Sequence, residues 1–313
     1  MKKYIPGERC YNGYKLNTNE NAFSTSKNCY FLLNIISKNF KKFKYYPNSN
    51  NLYLTKIISN IYNLNENNIF ICNGSDEGLF FLFFLFKNFK IKIPKISYPF
   101  YKIYSNFFNI YKKEVKYSKI LKYKNIIFPN PNSPSGEFIK KKQLINKIIK
   151  KNFLIIDEAY CDFYNLGLKN NINENNNLII VNTLSKSFSN AGIRIGFIFS
   201  NKKIINKIKI IKQCFNSYTI NIISNIISIE CLKDIDYLYY NIQKINYLKL
   251  LFNFIFKKKN KGNFICLKKK IDFLFFFKKK NFFFRYFNNN ILRITITNFI
   301  IFNKILSILK IWS

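Results

Sequence analysis

The chain of 313 residues contains no histidine. Imidazole is the commonest side-chain metal ligand and the usual base beside a nucleophilic serine or cysteine. Its absence excludes metal centres built on imidazole, and also Ser-His and Cys-His nucleophile pairs. We expect no metal in the functional site.

Cysteine is present without a pattern. The seven cysteines are scattered, and no two of them form a C-x-x-C pair. An odd number of isolated cysteines is typical of reduced thiols in a cytosolic protein. Their positions are Cys10, Cys29, Cys72, Cys161, Cys214, Cys231 and Cys266.

Long apolar runs are also missing. The most apolar run, residues 78–86, ends at Lys87 and is too short to cross a bilayer, so we interpret it as a buried helix. The first residues, M-K-K-Y-I-P-G, lack the apolar core of a signal peptide. We expect a cytoplasmic protein with no membrane partner.

Acidic residues are few, since 15 Asp and Glu stand against 52 Lys and Arg, which gives a formal net charge of +37. Such a charge usually indicates nucleic acid or a membrane surface as partner. Here the excess is mostly Lys and accompanies abundant Asn, Ile, Phe and Tyr, all encoded by A- and T-rich codons. We attribute the charge to nucleotide bias in the gene and expect no specific nucleic-acid partner.

Residues 153–196 contain the most informative pattern. Residues 153–156 and 178–181 are short apolar runs that predict buried parallel strands, and polar residues follow each run. Ligands of open α/β sheets lie beyond the carboxyl ends of the strands. We therefore expect one site to contain Asp157, Tyr160, Ser185, Lys186 and Arg194.

These five side chains suit pyridoxal phosphate. Its aldehyde needs a lysine for an imine, and its pyridine nitrogen needs a buried carboxylate that keeps the nitrogen protonated. Its phenolic oxygen needs a donor, and its phosphate needs hydroxyls, amides and a cation.

The same stretch resembles the fold-type I aminotransferases, most closely the histidinol-phosphate aminotransferase family. D-E-A-Y, T-L-S-K and A-G-I-R-I-G occur in that family's order. The resemblance implies an α/β fold, in which a large domain with a mostly parallel, seven-stranded type of sheet is flanked by helices and a smaller α+β domain is built from both chain ends. It implies an arm and part of the small domain at 1–40, the large pyridoxal-phosphate domain at 41–225 and the C-terminal small domain at 226–313.

Further motifs extend the resemblance from about residue 4 to residue 297. Y-I-P-G and L-N-T-N-E-N resemble the family segments that close over the substrate, which implies substrate contacts for Tyr4 and Asn19. Residues 29–45 predict a helix, followed by Y-P-N, where Asn48 replaces the usual Asp. In the family, the tyrosine equivalent to Tyr46 crosses a dimer interface to the partner's cofactor, so a homodimer is implied.

Three more segments resemble parts of the family's cofactor site. Residues 68–72 predict a strand that leads into G-S-D-E, where Ser75 and the Asp76 backbone at a helix start would bind phosphate. P-F-Y-K-I-Y resembles P-x-Y-x-x-Y, which implies that Tyr101 lies flat on the pyridine ring. Residues 126–129 predict a strand before N-P-N-S-P-S-G, where Ser133 replaces the Asn that binds the phenolic oxygen and Asn132 is the alternative donor.

Arginine is rare in this chain, and three of its four positions match anion sites of the family. Arg194 would hold the cofactor phosphate, whereas Arg293, supported by Arg285, would hold the substrate anion. No role is assigned to Arg9.

The resemblance implies transamination of histidinol phosphate with 2-oxoglutarate in histidine biosynthesis. Lys186 would hold the cofactor as an imine and then act as base, Asp157 would pair with the pyridinium, and Tyr160 would bond the phenolic oxygen. A neutral amine at Lys186 requires a depressed pKa, which burial and nearby cationic charge could supply. The alternatives are an aminotransferase for aromatic amino acids, a threonine-phosphate decarboxylase, and a basic binding protein on a decayed enzyme scaffold.

Overall fold

The computed structural model describes residues 3–38, 40–148, 153–173, 175–257, 260–268, 271–287 and 290–312. Its centre is a seven-stranded sheet formed by β2 to β8. In chain order the first eight strands are β1 Tyr14–Lys15, β2 Ile69–Asn73, β3 Ile91–Pro94, β4 Lys112–Val115, β5 Ile126–Pro129, β6 Leu154–Asp157, β7 Leu178–Thr183 and β8 Ile195–Phe199.

The order across this sheet is β2-β8-β7-β6-β5-β3-β4. β8 runs antiparallel to both of its neighbours, and the remaining pairs are parallel. The carboxyl ends of β2, β3, β5, β6 and β7 therefore meet at one edge, and the amino end of β8 lies at that edge too. Chain reversal after these ends brings together residues that are far apart in sequence.

The strands are short apolar runs because both faces of the sheet are covered. Every residue of β6 and β7 is buried. Successive residues belong to two different cores: Ile155 shares one cluster with Leu79, Leu82 and Phe83 of the helix that starts at residue 74, whereas Ile156 belongs to the other cluster. This alternation follows from the two-residue period of a strand.

The α-helices alternate with the strands and continue beyond them. In chain order they are α1 Lys27–Ser37, α2 Leu52–Tyr62, α3 Gly74–Leu85, α4 Phe100–Phe107, α5 Lys141–Ile148, α6 Lys202–Phe215, α7 Ile222–Lys233, α8 Ile235–Ile255, α9 Ile271–Lys279 and α10 Phe299–Trp312. None of the helices in the described ranges is long and apolar enough to span a bilayer.

Smaller sheets join the two ends of the chain. The last four strands are β9 Phe264–Lys268, β10 Phe282–Phe283, β11 Arg285–Phe287 and β12 Ile291–Thr295. β11, β12 and β9 form an antiparallel sheet, whereas β10 pairs in parallel with β1 of the amino-terminal arm. This arrangement confirms the predicted fold class, including the smaller part built from both ends.

The strand predictions are confirmed to within one or two residues, but the helix predicted at 29–45 is wrong in extent. The α-helix ends at Ser37, and a separate 3₁₀ helix covers Phe40–Lys44. The buried helix predicted at 78–86 is confirmed and begins earlier, at Gly74.

Candidate active site

A cavity of about 360 Å³ lies at the carboxyl edge of the large sheet. The loops after the strands supply most of its lining, and the amino-terminal arm and the small antiparallel sheet supply the remainder. The predicted site residues that line it are Tyr4, Ser75, Asp76, Ser133, Asp157, Tyr160, Ser185, Lys186, Arg194, Arg285 and Arg293.

One end of the cavity is built to hold an anion. Helix α3 begins at Gly74, so the unpaired amides of its first turn face this end together with the Ser75 and Ser185 side chains. A Cβ at Gly196 would lie 2.5 Å from the Ser75 amide nitrogen, so glycine is required for β8 to approach the helix start. The geometry suits a phosphate monoester.

Arg194 provides a cation at the same end. Its backbone is left-handed, with φ of 57°, a conformation that is uncommon for a long side chain such as arginine. The guanidinium lies 3.5 Å from Asp76 Oδ2 and donates to the Ala191 carbonyl at 3.3 Å. Asp76 Oδ1 accepts a hydrogen bond from Tyr98 at 2.7 Å.

Asp157 ends β6 and is buried at the bottom of the cavity. Its Oδ2 accepts from the Tyr101 hydroxyl at 2.7 Å, and its Oδ1 accepts from the Ala159 amide at 3.1 Å. Burial raises the pKa of Asp157 to about 6, although both hydrogen bonds oppose the shift. A protonated ring nitrogen would place a positive charge beside this buried carboxylate.

Lys186 follows β7, and its Nζ donates to the Thr18 carbonyl at 2.9 Å. Burial lowers the pKa of Lys186, and the Arg293 charge lowers it further, whereas Tyr160 opposes the change. The expected depressed pKa, with its two expected causes, is therefore present. A larger neutral fraction makes this amine a better nucleophile and base.

Tyr160 is buried between the arm and the small sheet. Its oxygen accepts a hydrogen bond from Asn19 Nδ2 at 2.8 Å, and its ring meets the Phe264 ring edge-on at 5.2 Å. Asn19 is fully buried behind Tyr160 and is not among the residues that line the cavity. The described structure thus places Asn19 behind Tyr160, and its contact with substrate stays a prediction.

Arg285 and Arg293 are direct cross-strand partners in β11 and β12, so their side chains share one face of the small sheet. Arg293 donates to Ser133 Oγ at 2.8 Å and to the Asn17 carbonyl at 2.7 Å. Its buried Nε has no hydrogen-bond partner within the described part of the chain. Arg285 donates to the carbonyls of Ile5 and Pro6 at 2.6 and 2.9 Å and so ties the arm over the cavity.

The structure places the two candidate tyrosines for ring stacking differently. Tyr101 is 1% exposed and lies behind Asp157, whereas Tyr98 lines the cavity. The Y-x-x-Y spacing occurs twice here, as Tyr98 to Tyr101 and as Tyr101 to Tyr104, and the motif was placed on the second occurrence. Tyr98 precedes α4 and faces the site, whereas Tyr101 lies in the first turn of that helix, against the sheet.

The Asn132 side chain is held by hydrogen bonds within the protein. Its amide donates to the Ile96 carbonyl and to Ser135 Oγ, and its oxygen accepts from Ser97 at 2.8 Å, so the side chain joins its own loop to the loop after β3. Asn132 is fully buried and outside the cavity lining. From this loop Ser133 alone lines the cavity, and the cofactor contact of Asn132 stays a prediction.

Tyr46 lies away from this cavity, with its side chain 80% exposed and stacked on Tyr218 at 4.5 Å. Tyr4 does line the cavity, and its ring packs on Phe100 at 4.7 Å. The Thr18 carbonyl, which accepts from Lys186, was not predictable from the sequence. A backbone oxygen has no signature in a sequence, whereas Tyr98 could have been found by testing both positions of its motif.

Residues 11–281 match the model of the family "Aminotransferase class I and II". A histidinol-phosphate aminotransferase of Brachyspira hyodysenteriae is 39% identical, with 95% of this chain and 92% of that protein aligned. The histidinol-phosphate aminotransferase structure from Clostridium acetobutylicum is 26% identical, with a TM-score of 0.82 and coverage of 95% and 98%. A histidinol-phosphate aminotransferase from Sinorhizobium meliloti, solved with pyridoxal-5'-phosphate, shares the fold at 18% identity and a TM-score of 0.80, with coverage of 92% and 87%.

Proposed function

Because this chain belongs to the class I and II aminotransferases, and within them to the histidinol-phosphate aminotransferases, we propose that it transaminates L-histidinol phosphate with 2-oxoglutarate. The products are imidazole acetol phosphate and L-glutamate, and the process is histidine biosynthesis. One observation carries the proposal. A single cavity of about 360 Å³ is lined by the Lys186 amine, by the Asp157 carboxylate and, at its anion-binding end, by Arg194.

The described residues fit pyridoxal phosphate. The start of α3, Ser75, Ser185 and Arg194 would hold its phosphate, and Asp157 would hold its protonated ring nitrogen. When bound, this cofactor supplies an aldehyde that condenses with amines and a ring that accepts electrons. Tyr98 is the aromatic side chain placed to cover one face of the ring and to exclude water there.

Lys186 performs the proton transfer in this proposal. Its depressed pKa leaves a larger fraction of Nζ unprotonated near neutral pH, so this atom would accept a proton from the substrate carbon and later release it. Tyr160 donates to the phenolic oxygen, and the Thr18 carbonyl orients the Lys186 amine between transfers.

Arg293 binds the substrate anion in this proposal. Its Nε is buried without a partner among the described residues, so an incoming oxyanion would satisfy it. A guanidinium presents two parallel donors, which suits both a phosphate and the carboxylate of 2-oxoglutarate. Arg285 supports it from the neighbouring strand.

We also propose a cytoplasmic homodimer in which Tyr46 reaches the partner's cofactor phosphate. Its 80% exposure and its position away from the cavity of its own subunit support this arrangement. The domain limits at residues 40 and 225 remain part of the proposal. They are supported by the large sheet, whose strands all fall between Ile69 and Phe199.

The test is an absorbance spectrum of the purified protein with pyridoxal phosphate, before and after addition of histidinol phosphate. We expect a visible band that histidinol phosphate converts to the pyridoxamine form, and we expect Lys186→Ala to lose band and turnover together. Retained turnover in that variant would contradict the role of Lys186.

The related activities are separated by the choice of substrate. A band that responds to phenylalanine but not to histidinol phosphate would indicate an aromatic aminotransferase, and release of carbon dioxide from phosphothreonine would indicate the decarboxylase. A wild-type protein without any band would favour a basic binding protein on a decayed scaffold.

A further inference from the structure

Asn19 is the polar residue of the arm that is most completely enclosed, being 0% exposed. Its Nδ2 donates to the Tyr160 oxygen at 2.8 Å, across 141 residues of sequence. This bond joins the amino-terminal arm to a side chain of the active-site cavity. It is also the only hydrogen bond of the Tyr160 hydroxyl within the described residues.

The backbone of Asn19 is fixed from two directions. Its amide donates to Thr295 Oγ1 at 3.1 Å, and its carbonyl accepts from Asn263 Nδ2 at 3.1 Å. The residue has φ of 55°, in the left-handed region that asparagine tolerates better than most side chains. Because both peptide groups are held, the carboxamide has little freedom to leave Tyr160.

From this geometry we infer that Asn19 is a positioning residue that fixes the direction of the Tyr160 hydroxyl proton. The phenol oxygen accepts the Asn19 N–H, so its own proton is directed away from Asn19 and into the cavity. Tyr160 is thereby kept as a donor. The inference rests on the proposed function, in which the acceptor is the phenolic oxygen of pyridoxal phosphate.

This arrangement has a consequence for Lys186 in the loaded protein. The phenolic oxygen of the cofactor would accept a hydrogen bond from Tyr160 and, when the Lys186 nitrogen is protonated, a second one from that nitrogen. The Tyr160 bond therefore stabilises the state with an unprotonated nitrogen more than the state with a protonated nitrogen. Asn19, through Tyr160, therefore lowers the proton affinity of that nitrogen. The Asn19 side chain thus couples the placement of the amino-terminal arm to the proton affinity of the Lys186 nitrogen.

Two substitutions test the direction of the bond. Asn19→Asp keeps the size but replaces the N–H donor with an acceptor, so the Tyr160 proton turns away from the cavity. Asn19→Gly removes the side chain and suits the left-handed backbone, so it preserves the fold of the arm. The readout is the pH at which the visible band of the protein loaded with pyridoxal phosphate changes.

We expect Asn19→Asp to raise that pH by about one unit, a tenfold gain in proton affinity, and Asn19→Gly to raise it by less. In a Tyr160→Phe background both shifts should vanish, because no hydroxyl remains to be oriented. Asn17→Asp is the matched control, since it places the same new charge in the lining of the same cavity, whereas the Asn17 side chain bonds the Glu8 carbonyl and not Tyr160. Its shift should be smaller than that of Asn19→Asp.

A shift for Asn19→Asp that equals that of Asn17→Asp, or that persists in Tyr160→Phe, would overturn the inference. If Tyr160 instead donated its proton to Asn19 Oδ1, Asn19→Asp would shift the pH of the band no more than Asn17→Asp does. The same comparison therefore tests the direction of this hydrogen bond. A wild-type protein without a visible band would overturn the proposed function as well. A normal wild-type band with an unshifted Asn19→Asp variant would overturn the positioning role alone.

Discussion

Tyr101 donates its hydroxyl proton to Asp157 Oδ2 at 2.7 Å from the side of the carboxylate that faces the core. Tyr101 is 1% exposed, so water cannot replace this bond. The tyrosine thus stabilises the ionised carboxylate, whose pKa burial raises to about 6. Tyr101, which the sequence predicts to lie on the cofactor ring, is in this structure the hydrogen-bond partner of Asp157.

We predict that Tyr101→Phe weakens the binding of pyridoxal phosphate at neutral pH. Without the hydrogen bond, the pKa of Asp157 rises by about one unit or more, so a larger fraction is protonated and unable to pair with the ring nitrogen. The cofactor-free protein is titrated with pyridoxal phosphate at several pH values from neutral to alkaline. The affinity for pyridoxal phosphate should recover as the pH rises. Tyr117→Phe is the control, since that buried hydroxyl bonds Pro129 and Asn130 instead. If the affinity of Tyr101→Phe for pyridoxal phosphate had the wild-type pH dependence, Tyr101 would not control the pKa of Asp157.

We predict that Tyr98→Leu lowers the affinity for pyridoxal phosphate about tenfold, because an aromatic platform contributes ~0.5–1.5 kcal/mol beyond its area. Tyr98→Phe keeps the ring and should lose less. The same titration measures both variants. Tyr104→Phe is the comparison, because its hydroxyl also bonds Asp76, through the backbone oxygen at 3.1 Å, and that ring does not line the cavity. Equal affinity of Tyr98→Leu and wild type would show that Tyr98 does not cover the ring.

The places where the structure differs from the sequence-based expectation have a common physical origin. Buried strands were placed well because an apolar run covered on both faces is a local signal, and residues 126–129 were predicted with their observed bounds. The choice between Tyr98 and Tyr101 depended on where α4 begins, which neighbouring segments decide. The direction of Asn19 depended on Thr295, which is 276 residues away in sequence.

We predict that Arg293→Gln raises the KM for histidinol phosphate and for 2-oxoglutarate by about a hundredfold. The expected loss is that of one charge-assisted, bidentate contact, about 1.5–3 kcal/mol. Arg293→Lys should recover little of it, because an ammonium cannot present two parallel donors. Steady-state kinetics with each substrate varied in turn provides the measurement. Arg9→Gln is the control, as this exposed arginine is outside the cavity lining. A normal KM for Arg293→Gln would place the anion elsewhere.

Lys249 is a buried lysine of α8, 2% exposed, and its Nζ donates to Asn260 Oδ1 at 2.8 Å and to the Phe264 carbonyl. Burial lowers the pKa of Lys249 to about 7 from a usual 10.5; the nearby Lys261 charge lowers it too, whereas Cys266 opposes the change. Between these two values the unfolded chain carries a proton at this site that the folded chain lacks. Unfolding therefore takes up a proton, and the contribution of this site to stability increases as pH rises through that window.

We predict that Lys249→Met flattens the pH dependence of the free energy of unfolding by up to ~1.4 kcal/mol per pH unit between about pH 7 and pH 10. Denaturant titrations of wild type and variant at several pH values measure the slope, and the difference cancels the titration of every other group. The slope is the diagnostic quantity, because Lys249→Met also leaves Asn260 and Phe264 without their donor and shifts stability at all pH values. Lys244→Met is the control: that lysine, on the same helix, is only partly buried. If the Lys249→Met and wild-type curves stay parallel throughout this range, Lys249 is charged in the folded protein, and its neighbours stabilise the cation more than burial opposes it.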